Sequence, residues 1–410
     1  MAKKNLINKN VLIISYVFPP VAGIGGRRWA KFAKYLNKKG VNVSVISFTS
    51  DNTEISTWAK DVSGINVTWL KPAYPKILNK QPKSIIQKLL YRWQLLRVKI
   101  LTRGNYYDKA AFSEKLIKQT VLAKIKEKKI DTIIVSGFPF NLTYFISKLQ
   151  SYIKTKIIVD FRDPWAWKES YSLNVMSSNR KAEEQRKEKY VVQHSDVITV
   201  PDQKMMDELC NLYPSQKEKI VHLPHGYDIE PTILSKEAKN QSPKIIYFGT
   251  LYANIKNEIT DIAKVFEEDK LGCKLDFFCH VKKYMDVFDK RQLIGRKIFY
   301  HDALAENELY QKLMSYDYYL LICPDYAKDY IITKIYEIIF HRIPIIFVGK
   351  KGRLSQFIEE NKLGFFVAKN EIVTKMPLIF NSKLSLNYNY NFPIENYSVD
   401  IITNKLIELL

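Results

Sequence analysis

Short β-branched runs alternating with helical patterns, in two successive series, set the fold class of this 410-residue chain. In the first series strand-like runs lie at Val11–Phe18, Val41–Phe48, Val67–Leu70, Asp131–Ser136, Lys156–Asp160, Asp196–Val200 and Ile220–Leu223. Helical patterns lie at Arg28–Lys39, Leu142–Tyr152 and Gln203–Leu212; in the first of these Trp29, Phe32, Ala33 and Leu36 recur at spacings of three and four. Residues Pro231–Pro243 are polar, lack apolar periodicity and read as a linker. A second series follows, with strands at Lys244–Gly249, Lys274–Cys279, Ile298–His301, Tyr318–Ile322, Ile343–Val348 and Phe365–Val367. Its helices are expected at Glu306–Met314, Thr333–Phe340 and Leu354–Asn361, and Val399–Leu410 forms one last amphipathic helix. Such alternation predicts parallel strands joined by crossover helices on both faces of a sheet. The expected class is α/β, two tandem doubly wound domains over residues 1–232 and 244–390, with a linker at 233–243 and a terminal segment at 391–410. Ligands of open parallel sheets bind beyond the carboxyl ends of the strands, and two such sheets facing each other would place a site in the cleft between them.

Charge is distributed unequally over this frame. Lys and Arg number 64 against 42 Asp and Glu, a net +22. Residues 1–230 carry +19 of this and residues 231–410 only +3, and the first fifty residues hold nine basic side chains and no acid. A field of that kind attracts an anionic partner: nucleic acid, a membrane surface or a phosphorylated substrate. Four cysteines cannot form a disulfide framework, which points to a reducing compartment. No apolar run approaches the roughly 20 residues of a membrane-spanning helix. Lys3, Lys4 and Lys9 before Val11–Phe18 resemble the start of a signal peptide, but that apolar run is short and ends in Pro19-Pro20, so a buried first strand and a cytoplasmic protein are expected.

One region breaks the alternation. Lys71–Arg103 contains nine basic residues and no acid. Within it Ile85, Ile86, Leu89, Trp93, Leu96 and Ile100 share one helical face, with Lys88, Arg92 and Lys99 on another. This is the pattern of a helix lying on an anionic membrane. It is equally the pattern of a domain helix whose apolar stripe packs on a core.

Five constellations carry possible chemistry, each at a strand end. Gly23, Gly25 and Gly26 follow the first strand and are followed by Arg27, Arg28 and a helix, a setting in which backbone N–H groups and a helix N-terminus receive an anion. The spacing is not that of a dinucleotide fingerprint, and no Walker Lys-Ser/Thr is present. Asp160-Phe-Arg-Asp-Pro-Trp165 brings two carboxylates and an arginine to a strand end; Asp160 is expected to hold Arg162, leaving Asp163 available, and a plain salt bridge is the alternative. His225 lies in the turn Leu223–Asp228, near the site or simply buried and hydrogen-bonded. Gly249 and Thr250 offer backbone and hydroxyl donors after the second domain's first strand, and Lys256 a point charge for a diphosphate. Asp329 and Glu337, eight residues apart, offer carboxylates to sugar hydroxyls. Zinc-ligand spacings, HExxH and GxSxG are all absent, and His194-Ser195-Asp196 is triad-like only in sequence.

In order and together these elements resemble family 4 glycosyltransferases of the GT-B fold, closest to the bacterial group of capsule, O-antigen and exopolysaccharide synthesis with FPPxxGxGxxR and DFRDPW motifs. The resemblance rests on Phe18-Pro19-Pro20, Gly23, Gly25, Arg28, Asp160–Trp165, Pro224, Gly226, Asp228, Gly249, Glu337 and Pro344. It implies two Rossmann-like domains, a nucleotide-sugar donor (UDP- or GDP-sugar), a glycan or lipid-linked acceptor, no metal or other cofactor and retention of anomeric configuration. It implies that Gly23 and Gly25 lie near the diphosphate or acceptor, Lys256 binds the diphosphate, Glu337 holds the ribose, and Asp329 contacts the donor sugar. The terminal helix would return to the first domain. Catalytic roles are expected for Asp163, Arg162 and Asp329, through sugar positioning and charge stabilisation. Donor contacts are expected from Gly23, Gly25, Gly249, Thr250, Lys256, Asp329 and Glu337, and acceptor or membrane contacts from Arg27, Arg28, Lys88, Arg92, Trp93 and Lys99. The balanced second domain then suits the donor, and the basic first domain suits an acceptor at the inner face of a membrane.

The chain departs from the family pattern at five places, one being the stretch Asp325–Asp329, a poor match to the usual glycine-rich loop. Thr250 stands for the arginine beside the phosphate-binding lysine, His225 for the asparagine of a Pro-Asn-Gly turn, Arg342 for the glycine after the Glu337 helix, and Asp329 for a glutamate. These changes keep a catalytically inactive GT-B partner protein as the alternative. A nucleotide-sugar epimerase shares the fold, and a nucleic-acid-binding protein would explain the charge but not the paired α/β domains.

Overall fold

The computed structural model of the protein describes residues 9–51, 56, 58–168, 173–229, 242–252, 254–325 and 328–410. The expected linker falls outside these residues except for its last two, Ser242 and Pro243. The chain divides into two compact units, residues 1–225 with 399–410, and residues 226–398.

Unit 1 is built on seven parallel strands: β1 (Asn10–Ile14), β2 (Asn42–Phe48), β3 (Asn66–Leu70), β4 (Thr132–Gly137), β5 (Lys156–Phe161), β6 (Val197–Val200) and β7 (Ile220–His222), in the order β3-β2-β1-β4-β5-β6-β7. The central strands are buried on both faces, which is why they read as continuous apolar runs rather than alternating ones. Helices α1 (Arg27–Lys38), α2 (Ile85–Leu101), α3 (Glu114–Glu127), α4 (Phe140–Ser147), α5 (Ser178–Gln193) and α6 (Gln203–Leu212) complete the series. The stripe Trp29, Phe32, Ala33 and Leu36 of α1 is buried, and α1 stops where Gly40 takes a left-handed conformation, φ 85°. The first strand is shorter than its apolar run: β1 ends at Ile14, and Phe18 is buried by packing rather than by the ladder.

Unit 2 repeats the plan with six parallel strands: β8 (Lys244–Phe248), β9 (Lys274–Phe278), β10 (Ile298–His301), β11 (Tyr318–Ile322), β12 (Ile345–Gly349) and β13 (Gly364–Ala368), ordered β10-β9-β8-β11-β12-β13. Its helices are α7 (Lys256–Glu268), α8 (Met285–Asp289), α9 (Glu306–Leu313), α10 (Thr333–Phe340), α11 (Arg353–Glu360) and α12 (Ile372–Phe380). In both sheets the strand order reverses beside the first strand of the unit, the doubly wound arrangement of Rossmann-like domains.

The boundaries differ from the expected 232 and 391. Tyr227 N–H donates to Tyr397 O, and Tyr227 bridges Ser398, so the chain joins unit 2 from Gly226 onward. Phe392, Ile394 and Tyr397 pack with the core of unit 2, and only α13 (Val399–Glu408) and the two residues after it return to unit 1. There Val399, Ile402, Leu406 and Leu410 join the cluster of Trp29, Phe32 and Leu36, Lys39 pairs with Asp400 at 2.8 Å, and Thr132 Oγ1 donates to Leu410 O.

Helix α5 buries Glu184, Lys187 and Glu188 along with Val191 and Val192. Glu184 and Glu188 are each 1% exposed. Glu184 accepts from Trp165 Nε1, Asn105 N and Lys187 Nζ, and Lys187 also reaches Asn141 Oδ1. Glu188 accepts from Tyr213 Oη at 2.7 Å and from the Ala166 and Trp167 N–H groups at 2.6 and 3.2 Å. Burial pushes the Glu188 carboxyl up to about 7, so the folded state binds its proton more tightly than the unfolded chain does. Stability from this group is therefore lost as pH rises from about 4.5 to about 7, at a slope approaching 1.4 kcal/mol per pH unit, roughly the value for one proton. Urea unfolding of wild type and Glu188→Gln across this range is expected to show a flatter pH dependence in the variant.

Candidate functional site

The carboxyl ends of the unit 1 strands converge on Asp160, the fifth residue of β5, which is wholly buried. Its Oδ1 accepts from Arg28 Nη2 at 3.1 Å and Thr199 Oγ1 at 2.8 Å; its Oδ2 accepts from Arg28 Nε at 3.2 Å, Trp29 Nε1 at 2.9 Å and Ser136 Oγ at 3.4 Å. Arg28 extends the network, donating to Leu223 O and Pro224 O and meeting His225 Nδ1 at 3.4 Å. Because guanidinium only donates, Nδ1 is the acceptor in that contact and the His225 proton belongs on Nε2. Burial and the charges of Arg28, Arg162 and Arg27 hold the imidazole well below its usual pKa, and hence neutral. His225 is therefore coupled directly to the Asp160–Arg28 pair, which the sequence alone did not indicate.

Two expectations change here. Asp160 holds Arg28, not Arg162: the next two charged side chains pair with each other instead, Arg162 Nε donating to Asp163 Oδ2 at 3.0 Å. Arg162 Nη1 also donates to Gly25 O at 2.6 Å, and a Cβ on Gly25 would sit 2.8 Å from that nitrogen, so glycine here lets the arginine close over the turn. Gly23 beside it adopts φ 148°. Arg27 and Arg28, expected as surface contacts for an acceptor or membrane, are 9% and 7% exposed; the stronger demand on Arg28 is the buried carboxylate.

In unit 2 the corresponding position is the end of β8. Gly249 takes φ 112°, and its N–H is already donated to Phe278 O, so it is not the open donor the sequence suggested. The cation at this loop is Lys334, which sequence reasoning missed. Its Nζ donates to Phe248 O at 3.0 Å and occupies the space beside Gly249, where a Cβ would lie 1.7 Å from it. Lys334 is the second residue of α10, so its charge adds to a helix N-terminus. Thr250 is exposed and its carbonyl accepts from Tyr247 Oη. Lys256 is exposed as the first residue of α7, a second lysine at a helix N-terminus. Glu337 lies within α10 and is 5% exposed. Asp329 is half-buried, its Oδ1 facing Arg353 N–H at 3.4 Å at the start of α11. Among the described residues no group of three or more His, Cys, Asp or Glu side chains is placed to hold a metal ion.

The basic helix is resolved in favour of its exposed reading. Ile85, Ile86, Leu89, Trp93, Leu96 and Ile100 of α2 are 57–78% exposed. Only Val98 is buried; with Leu95 it packs on a small cluster of Tyr74, Tyr106, Leu173 and Met176. Lys88 and Arg92 are exposed, while the Lys99 ammonium lies 4.8 Å over the Tyr106 ring. No helix among the described residues is long and apolar enough to cross a membrane.

Residues 25–231 match the sequence model of Glycosyltransferase Family 4. The chain belongs to glycosyltransferase family 4. Solved structures give the same architecture for both units. The glycosyltransferase of Rickettsia africae ESF-5 superposes with a TM-score of 0.62 at 16% identity, covering 98% of this chain and 97% of its own. TarM gives 0.61 at 13% identity, over 99% of each chain. The catalytic domain of starch synthase IV from Arabidopsis thaliana, bound to ADP and acarbose, gives 0.56 at 12% identity, covering 98% and 97%. No curated protein matches the sequence. The fold of this family 4 glycosyltransferase is GT-B, with Rossmann-like units.

In such an enzyme the Asp160 network is scaffolding for the strand-end loops. Asp160→Ala leaves the buried Arg28 guanidinium without its counter-ion and is expected to cost about 3–5 kcal/mol in urea unfolding. Thr199→Ala, which removes one of several donors, is expected to cost roughly 1 kcal/mol.

Proposed function

We propose that this glycosyltransferase moves a sugar from a UDP- or GDP-sugar to a glycan or lipid-linked acceptor in cell-surface polysaccharide synthesis. The observation that carries the donor half is a pair of lysines at helix N-termini, Lys334 of α10 against Gly249 at the end of β8 and Lys256 opening α7. Fixed cations and helix N-termini stabilise the charge that develops on a departing nucleoside diphosphate. Lys334 offsets the arginine that Thr250 replaces, which favours an active enzyme over an inactive partner. Glu337 is assigned to the ribose, Asp329 to the donor sugar, and Arg162 and Asp163, with Gly23 and Gly25, to the reacting groups. The proposed course retains configuration by front-face displacement, needs no metal and forms no covalent intermediate; the leaving phosphate takes the acceptor proton. UDP or GDP should raise the melting temperature of wild type, since a ligand of the native state stabilises it. Lys334→Ala is expected to weaken that binding about tenfold, a typical worth of one charge-assisted contact. Absence of any shift with millimolar UDP, GDP or their sugars in the wild type would sink the donor reading.

The acceptor half rests on α2. Eight large apolar side chains of α2, Leu90 and Leu101 among them, are exposed beside Lys88 and Arg92 in a stretch without acids, and this suits an anionic bilayer surface carrying the acceptor. The enzyme is accordingly placed in the cytoplasm, peripheral on the inner face of the membrane. Wild type should co-sediment with vesicles containing phosphatidylglycerol and much less with phosphatidylcholine alone. Leu89→Glu/Trp93→Glu is expected to abolish that binding, and Lys88→Glu/Arg92→Glu to weaken it and its salt dependence. Equal binding to both vesicle types, or to neither, would refute it.

A further inference from the structure

Unit 2 contains a cavity of about 290 Å³, lined by none of the residues assigned above to the transfer reaction. Its lining includes Arg342, Tyr388, Asn389, Tyr390, Asn391 and Glu395. Arg342 lies two residues past the end of α10, whereas Lys334 lies at its start. Eight residues of helix rise about 12 Å, so the cavity sits at the opposite end of α10 from the proposed diphosphate contact, toward the amino ends of the strands. We infer that this cavity is a saccharide-binding subsite, distinct from the donor site, that holds a uncharged sugar unit of a glycan.

The side chains at the cavity favour a polyhydroxylated ligand. The Tyr388 hydroxyl is buried with no hydrogen-bond partner, while the residue as a whole is 93% buried. Leaving a buried hydroxyl unpartnered is unfavourable, and a hydrogen bond to a ligand hydroxyl would relieve that penalty. Among the described residues the Arg342 guanidinium and the Glu395 carboxylate make no ion pair, although both line the same cavity. They supply a planar donor and a planar acceptor of opposite charge, which balances the site for an uncharged ligand and against a phosphate. Asn389 Oδ1 accepts from Asn391 N–H at 3.1 Å and Asn389 N–H donates to Lys362 O at 3.1 Å, so the loop is pinned while the Asn389 NH₂ stays available. Tyr390 is 57% exposed and packs edge-on against Tyr388 at 5.0 Å, presenting an amphipathic ring beside the polar groups. The volume lies near the lower end of small-molecule sites, about the size for one or two sugar rings.

Backbone conformation at Arg342 adds a second, independent argument. Its φ is 55°, the left-handed region that disfavours a non-glycine residue. Glycine would take this conformation without strain, yet the chain has an arginine here. A guanidinium required at the cavity explains that choice.

Saturation-transfer difference NMR on the full chain tests the proposal, with maltotriose and N,N′,N″-triacetylchitotriose as probes. At least one probe should receive magnetisation, and saturating UDP should leave the signal in place. Arg342→Gly relieves the backbone strain and so does not threaten folding; together with the ring-preserving Tyr388→Phe it is expected to weaken probe binding about tenfold or more. Lys334→Ala should leave probe binding unchanged, so failure of the donor reading and failure of this one are separable. No transfer to either probe, displacement by UDP, or unchanged binding in both cavity variants would overturn the subsite.

Discussion

A carboxylate with no surface exposure organises the first unit. Asp160 cannot reach water, so it must be met by donors, and it is met by five from four different side chains on α1, β4 and β6. Through Arg28 the same charge pins the carbonyls of Leu223 and Pro224 after β7. The relative positions of four strand ends and a helix start thus depend on one ion pair. A buried pair contributes little net stability compared with an apolar substitute, but its directional bonds admit few alternative arrangements. That trade suits a place where Gly25, Arg162 and His225 must be held in register.

The sheet was readable because parallel strands are buried on both faces and leave uninterrupted apolar runs such as Ile157–Val159 and Ile245–Phe248. Helices were less readable where their inward faces are not apolar. The inward face of α5 carries Glu184, Lys187 and Glu188 before Val191 and Val192, and its charged part looks in sequence like a solvated surface. Its two carboxylates are met by indole, amide and hydroxyl donors from residues 105, 165–167 and 213, and Lys187 donates to Asn141 Oδ1, none of these partners being near in sequence. The apolar stripe of α2 posed the converse difficulty, since periodicity shows that a stripe exists but not whether anything covers it.

Site residues followed the same division. The motif at Asp160–Trp165 was visible as a strand end rich in charge, yet its pairing was not, because Arg28 and Arg162 offer a carboxylate the same guanidinium donors and only the fold selects between them. Lys334 was harder still. It contacts Phe248, 86 residues away, because β8 neighbours β11 in the sheet and α10 follows β11. The apparent loss of a cation at Thr250 is a statement about one strand end, whereas charge at that point in space comes from a different element.

The return of α13 to unit 1 carries a consequence for biogenesis. Val399, Ile402 and Leu406 belong to the same apolar cluster as α1, and these residues leave the ribosome only after all of unit 2 has been synthesised. Unit 2 is contiguous and is able to fold as it emerges, while unit 1, though translated first, must wait with a groove along α1 uncovered. The usual order in which domains mature during synthesis is thereby inverted, and the nascent first unit is the part of this chain most in need of chaperone cover.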